Sequence, residues 1–209
     1  MKKLLYIIRH GETDLNKKGI VQGKGVNSPL NELGQKQAHA FYEAYKGVDF
    51  DRVYTSTLLR THQTVANFVN DGLPWEQLAG LDEISWGIYE GQEQSDKLLT
   101  GFNAITKKWS EGDLNISVDG GESPIQVQER QKEAIDHIVS KEEDRKILIC
   151  MHGRAMRILL CLLTNKPLSE MDDFPHMNTA LYIVSYEKGL FHIEDHYNIN
   201  HLVELERVG

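Results

Sequence analysis

The chain has 209 residues, 40% of them hydrophobic, which is enough for one core-bearing domain spanning 1–209. Its 23 Lys and Arg stand against 31 Asp and Glu for a net charge of -8, and the absence of a basic block excludes a nucleic-acid or anionic-membrane surface as the main partner. An anionic ligand would need a locally positive pocket in a negative molecule, so each arginine that reaches such a pocket carries weight.

At the N-terminus, "MKKLLYIIRHG" holds an apolar stretch from Leu4 to Ile8 that is shorter than a signal-peptide core and closes on Arg9. No other segment approaches membrane-spanning length, and the expectation is a cytoplasmic protein. The stretch itself has the character of a buried strand, ended by the polar "RHGET". From Asn31 to about Tyr45, Leu33, Ala38, Phe41 and Tyr45 recur at helical spacing. "RVYTS" at 52–56 is a second strand, and Leu59, Val65, Ala66 and Val69 describe a helix with Arg60 in its first turn. The segment at about 92–121 breaks the rhythm. It contains a helical stretch, "SDKLLTGFNAITKKW", then a polar loop, and reads as a lid-like insertion over one edge.

Ser123 as N-cap, Pro124 at the first helical position and Gln126 completing a capping box start a helix that runs to about Ser140. "KILICM" at 146–151 is a third strand, and the helix after it buries Ile158, Leu159 and Leu162. "ALYIVSY" and "LFHIEDH", separated by "EKG", form a late hairpin. Cys150 and Cys161, both within apolar runs, read as buried reduced thiols.

Alternating strands and helices predict an α/β fold, a three-layer α/β/α sandwich with a mainly parallel central sheet. Ligands of such sheets bind at the carboxyl ends of the strands. Arg9 and His10 follow the first strand, Ser56 and Arg60 the second, His152 and Gly153 the third. Two arginines and two histidines converging on one crevice beside helix starts make a phosphate pocket.

Six blocks in order, "RHGET" (9–13), "SPLNELGQKQA" (28–38), "YTSTLLRTHQT" (54–64), "LDEISWGIYEG" (81–91), "GGES" (120–123) and "MHG" (151–153), resemble the histidine phosphatase superfamily in its phosphoglycerate mutase-like branch. They cover Met1 to about Leu163, and "NINHL" at 198–202 resembles the family's usual ending. The resemblance implies that His10 is a nucleophile forming a phosphohistidine, for which its ring must be neutral. It further implies that Arg9, Arg60 and His152 bind phosphoryl oxygens, that Glu83 is the proton donor and later the base, and that Asn16 and the backbones of Gly11 and Gly153 support the substrate. All the stabilising groups belong to the protein, so no metal and no cofactor are implied, and the partner is a small phosphorylated substrate. Glu12, Asp82, Glu90 and Glu122 stay open as rival acids. The oligomeric state is not legible.

The family contains phosphatases and mutases. Mutases carry basic residues just after the acid to grip a carboxylate, where this chain has Ile84, Ser85 and Trp86, and no arginine lies between Arg60 and Arg130. A phosphatase is therefore expected, with the mutase as the alternative. Trp86, Tyr89, Phe102 and Trp109 could wall an organic leaving group or pack the insertion. His192, His196 and His201 lack matching ligands and read as solvated, not as a metal site.

Overall fold

A computed structural model describes residues 1–206. Six strands form one sheet in the order β3-β2-β4-β1-β5-β6. They are β1 (Lys3–Arg9), β2 (Arg52–Thr55), β3 (Trp75–Gln77), β4 (Lys146–Met151), β5 (Leu181–Glu187) and β6 (Leu190–Asn198). β1, β2, β3 and β4 are mutually parallel, while β5 and β6 add an antiparallel hairpin beside β1. β3 escaped the sequence reading because three residues with little apolar alternation carry no periodic signal.

The central strands are apolar on both faces, as burial from both sides requires. Ile8, Val53, Leu148 and Cys150 face one layer together with Phe41 of α2 (Glu32–Tyr45) and with Val65 and Phe68 of α3 (Leu59–Asn70). Ile7, Ile147, Ile149 and Met151 face the other, where α5 (Pro124–Ser140) supplies Ile135 and Ile138, and α6 (Gly153–Thr164) supplies Ile158 and Leu159. α5 begins on the expected capping box, with Gln126 N–H donating to Ser123 Oγ at 3.3 Å and Ser123 N–H to Gln126 Oε1 at 2.9 Å.

The helix stripes differ from the expected ones in instructive ways. α2 buries Gly34, Gln37, Ala38 and Phe41 and leaves Leu33 43% exposed. α3 buries Arg60, Thr61 and Thr64 beside Val65 and Phe68, and its Leu59 faces outward. That polar buried stripe is where α3 meets the site. α4 (Asp96–Ser110) packs its Trp109 on Trp86, ring centroids 5.3 Å apart, and both join the apolar cluster that holds residues of α5 and α6. Cys150 and Cys161 are buried and unpaired. Among the described residues no helix is long and apolar enough to cross a membrane.

Candidate active site

The sheet register decides which side chains meet. Arg9 on β1 pairs with Met151 on β4, and Thr55 on β2 pairs with Cys150, so His10, Ser56 and His152 leave the sheet at one level. The ladder continues a residue further, with His10 N–H donating to the Met151 carbonyl at 3.0 Å. The rings of His10 and His152 end 5.1 Å apart.

His10 Nδ1 lies 2.7 Å from the Gly11 carbonyl oxygen. A carbonyl only accepts, so Nδ1 holds the proton and Nε2 keeps its lone pair. Burial, followed by the charges of Arg60 and Arg9, pushes the His10 pKa well below the ordinary imidazole value, which keeps the ring neutral. His152 is neutral for the same reasons, burial first and then Arg60. Arg9 and Arg60 are themselves lowered by burial to about 10 and stay charged at neutral pH.

The Gly11 N–H donates to Thr64 Oγ1 at 3.0 Å and its carbonyl accepts from His10 Nδ1, so its backbone positions the imidazole. A Cβ on Gly11 would stand 2.5 Å from the Gly34 carbonyl oxygen, and one on Gly34 would overlap the Glu12 carbonyl. Both glycines are needed for α2 to pack directly against the His10 loop.

Arg60 and His152, expected to bind phosphoryl oxygens, are hydrogen-bonded to each other beside His10. Both are 0% exposed. Arg60 Nε donates to His152 Nδ1 at 3.2 Å, which leaves His152 Nε2–H to donate to Ser56 Oγ at 2.7 Å. The remaining nitrogens of Arg60 donate to the carbonyls of Val26 at 2.7 Å and Gly23 at 3.5 Å, in the loop after α1 (Asp14–Lys17). The pair backs the His10 ring from inside the protein.

Glu83 sits on the start of α6, whose N-cap His152 offers no side-chain cap. Its Oε1 accepts from Ala155 N–H at 2.8 Å and Ile84 N–H at 2.9 Å, and its Oε2 from Arg154 N–H at 3.1 Å. The N–H groups of Arg154 and Ala155 lie in the first turn of α6 without intrahelical partners, and the carboxylate satisfies them. Behind it, Arg130 donates to the carbonyls of Ala79, Gly80, Asp82 and Glu83 at 2.9–3.3 Å and pairs through Nε and Nη2 with Glu122. The rival acids are engaged elsewhere: Glu12 with Asn31, Asp82 with Thr57, Glu90 with Trp86 N–H and Glu122 with Arg130. Of the five carboxylates, Glu83 is the one that lines a cavity together with His10.

That cavity is about 260 Å³. Arg9, His10, Asn16, Glu83 and Gly153 all line it, opposite Trp86 and Phe102. Asn16 Oδ1 is occupied by Thr13 N–H at 3.2 Å and Thr13 O–H at 3.1 Å, leaving the Nδ2 amide protons as donors. Trp109 lies behind Trp86, and the Tyr89 hydroxyl abuts Gly101, so these two aromatics pack the insertion while Trp86 and Phe102 meet the cavity. The insertion also touches the opposite loop, with Gln94 Nε2 donating to the Gly19 carbonyl at 2.7 Å.

Four site residues went unread in the sequence. Gln22 and Arg154 line the cavity, Asn178 Nδ2 donates to the His10 carbonyl at 2.9 Å, and His176 Nδ1 lies 3.0 Å from Arg9 Nη1. Arg154 stands directly after "MHG", which was the available signal. The others lie in loops without periodicity. His192 and His196 are exposed as expected, but His201 is not solvated: it packs edge-on against Phe41 at 5.3 Å, with Nε2 3.0 Å from Thr179 Oγ1. Among the described residues no group of three or more His, Cys, Asp or Glu could hold a metal ion.

Two guanidinium groups, two neutral imidazoles and a carboxylate gather at the carboxyl ends of the parallel strands of an α/β fold. The chain belongs to the histidine phosphatase superfamily (branch 1), which it matches over residues 5–199. It is 36% identical over 139 residues to fructose-2,6-bisphosphatase TIGAR of Mus musculus, covering 64% of this chain and 50% of that protein. The chain thus spans about half the length of the TIGAR relatives it matches. "Probable phosphoglycerate mutase GpmB" of Yersinia pestis is 29% identical over 186 residues, covering 88% of this chain and 85% of that protein. The solved structure of Bacillus stearothermophilus YhfR superposes with a TM-score of 0.83 at 30% identity, covering 96% and 99% of the two chains.

Proposed function

We propose that this protein is a phosphomonoester hydrolase that acts on a small phosphorylated metabolite through a phosphohistidine at His10. The observation that carries this is a neutral His10 with Nδ1 protonated by geometry and Nε2 unprotonated, on the same cavity as Arg9 and Glu83. In the first step Nε2 attacks phosphorus in line, the P–O ester bond breaks, and Glu83 gives its proton to the departing alkoxide. In the second, water attacks the phosphohistidine, Glu83 takes the water proton, and inorganic phosphate leaves with the N–P bond broken. Glu83 Oε1 accepts two backbone hydrogen bonds and Oε2 only one, so Oε2 keeps a lone pair on which the group can carry that proton.

Arg9 and Asn16 are the donors to the phosphoryl oxygens, with the start of α6 at Gly153 closing the cradle. Arg60 and His152 act from behind the ring, Arg60 by its charge and His152 by linking Arg60 to Ser56. Residues 1–209 work as one domain with the 92–121 insertion as its lid, a reading supported by Phe102 at the cavity and by the Gln94 contact with Gly19. Two buried, unpaired thiols suit a reducing compartment such as the cytoplasm.

A mutase would need a second grip on the substrate's carboxylate. Ile84 is fully buried, and Arg154, the one cavity guanidinium besides Arg9, is already held by Asp172 at 2.6 Å. The deciding experiment is a panel of phosphomonoesters assayed with chelator present, alongside a 3-phosphoglycerate mutase assay primed with the bisphosphate. Hydrolysis without isomerisation is expected. Mutase turnover with negligible hydrolysis, or strict dependence on a metal, would refute the reading.

A further inference from the structure

Arg9 has two edges through which its guanidinium can bind. The Nη1 nitrogen lies 3.0 Å from His176 Nδ1. Nε is buried and has no partner among the described residues. Nε and Nη2 share the side-on edge, the fork that matches two oxygens of a phosphoryl group. His176 lines the same cavity, from the loop between α6 and β5.

We propose that His176 is a positioning residue for Arg9, holding Nη1 so that the Nε–Nη2 edge faces the phosphoryl oxygens. This rests on the reading of the cavity as a phosphate site. A guanidinium only donates, so His176 accepts through Nδ1 and carries its proton on Nε2. Its ring is kept neutral by burial and then by Arg9, Arg157 and Arg154, which push its pKa down to about 3. A protonated His176 would repel Arg9 and release the fork.

The space for this contact is built into the backbone. A Cβ on Gly153 would lie 2.9 Å from His176 Cε1, 3.1 Å from its Nδ1 and 3.3 Å from Arg9 Nε. The first residue of α6 is therefore a glycine where the imidazole and guanidinium close over the helix start. Asp172 pairs with Nη1 of Arg154 and of Arg157 at 2.6 Å each and Arg157 Nε donates to the Phe174 carbonyl, whereas the buried Nε of Arg9 has no partner among the described residues.

Two substitutions separate positioning from filling space. His176→Phe keeps a ring and loses both nitrogens, whereas His176→Asn keeps an acceptor oxygen near the place of Nδ1. Inorganic phosphate binding is measured by calorimetry on the full chain, and kcat and KM with a phosphomonoester the wild type hydrolyses. His176→Phe is expected to weaken phosphate binding and lower kcat/KM by about 10- to 100-fold, the worth of a hydrogen bond to a charged group, and His176→Asn to recover most of the loss. Equal losses in both variants, or a His176→Phe value within about twofold of wild type, would overturn the proposal. Ring-nitrogen NMR on the wild type tests it without any variant: a bare Nδ1 and a protonated Nε2 support it, and the opposite tautomer overturns it. A wild type that binds phosphate but hydrolyses no phosphomonoester would refute the hydrolase reading and leave the binding arm of this test intact. A wild type that binds no phosphate would overturn both.

Discussion

Acidification probes the neutral imidazoles directly. His10 and His152 are held well below the ordinary histidine pKa of 6.5 by burial and the neighbouring arginines, His176 is lowered to about 3 and His201 to about 4 by burial above all. Above pH 6.5 all four are neutral in both the folded and unfolded chain, and they contribute no pH dependence. As pH falls below 6.5 the unfolded chain takes up protons that the folded chain refuses, so stability falls and continues to fall toward the folded pKa values. One unit below 6.5, each such ring costs about 1.4 kcal/mol, which gives ~3 kcal/mol for His10 and His152 together. The partly buried His176 and His201 add less per ring because solvent screens them. Denaturant unfolding in phosphate-free buffer at pH 7.5 and pH 5.5 measures the difference, and a parallel melt should lose about 6–12 °C for a chain of this length. Glu122, held low by Arg130 against the opposing effect of burial, contributes in the same sense only below pH 4.5 and does not confuse the window. Stability unchanged to within about 0.5 kcal/mol between the two pH values would mean that the buried rings protonate readily in the folded protein, which would refute the neutral-nucleophile argument.

Three substitutions test the supports of the site. Arg130→Met leaves four loop carbonyls and the Glu122 carboxylate without their guanidinium, and should lower unfolding free energy by about 3 kcal/mol in urea titrations; a loss under about 1 kcal/mol would show that Lys24, 2.9 Å from Glu122, already suffices. Glu83→Gln should lower the hydrolysis rate of alkyl phosphates far more than that of aryl phosphates, whose leaving groups need little protonation, and cost about 1 kcal/mol of stability through the start of α6; equal losses on the two substrate types would argue against proton donation. Gly34→Ala drives a methyl into the Glu12 carbonyl, so it should destabilise by about 1–3 kcal/mol and reduce kcat by displacing the His10 loop, as thermal melts and steady-state kinetics would show.

Much of this architecture was legible because the strands are apolar on both faces and α5 carries a complete capping box. Such signals are local, and the structure reproduces α5 from Pro124 to Ser140. β3 was not legible because its three residues owe their conformation to pairing with β2, and α1 was missed because Asn16 closes the capping box in place of the usual Glu or Gln. Within the site, the residues that end strands were readable, since register alone aligns His10, Ser56 and His152. What periodicity could not reveal was which of them face the cavity. Arg60 and His152 are fully buried beside His10, with Arg60 held by the carbonyls of Gly23 and Val26 in a loop whose path no local pattern encodes. His176 was invisible for the same reason: its role depends on a contact with Arg9, 167 positions away in the chain.

The central claim is covalent chemistry at His10, and the most direct measurement is to quench the enzyme during turnover of a labelled phosphomonoester and map the modified residue by mass spectrometry. An acid-labile, base-stable phosphate on His10, absent in His10→Ala together with hydrolysis, is the predicted result. Undiminished turnover in His10→Ala, or phosphate on another side chain while His10 stays unmodified, would contradict the account.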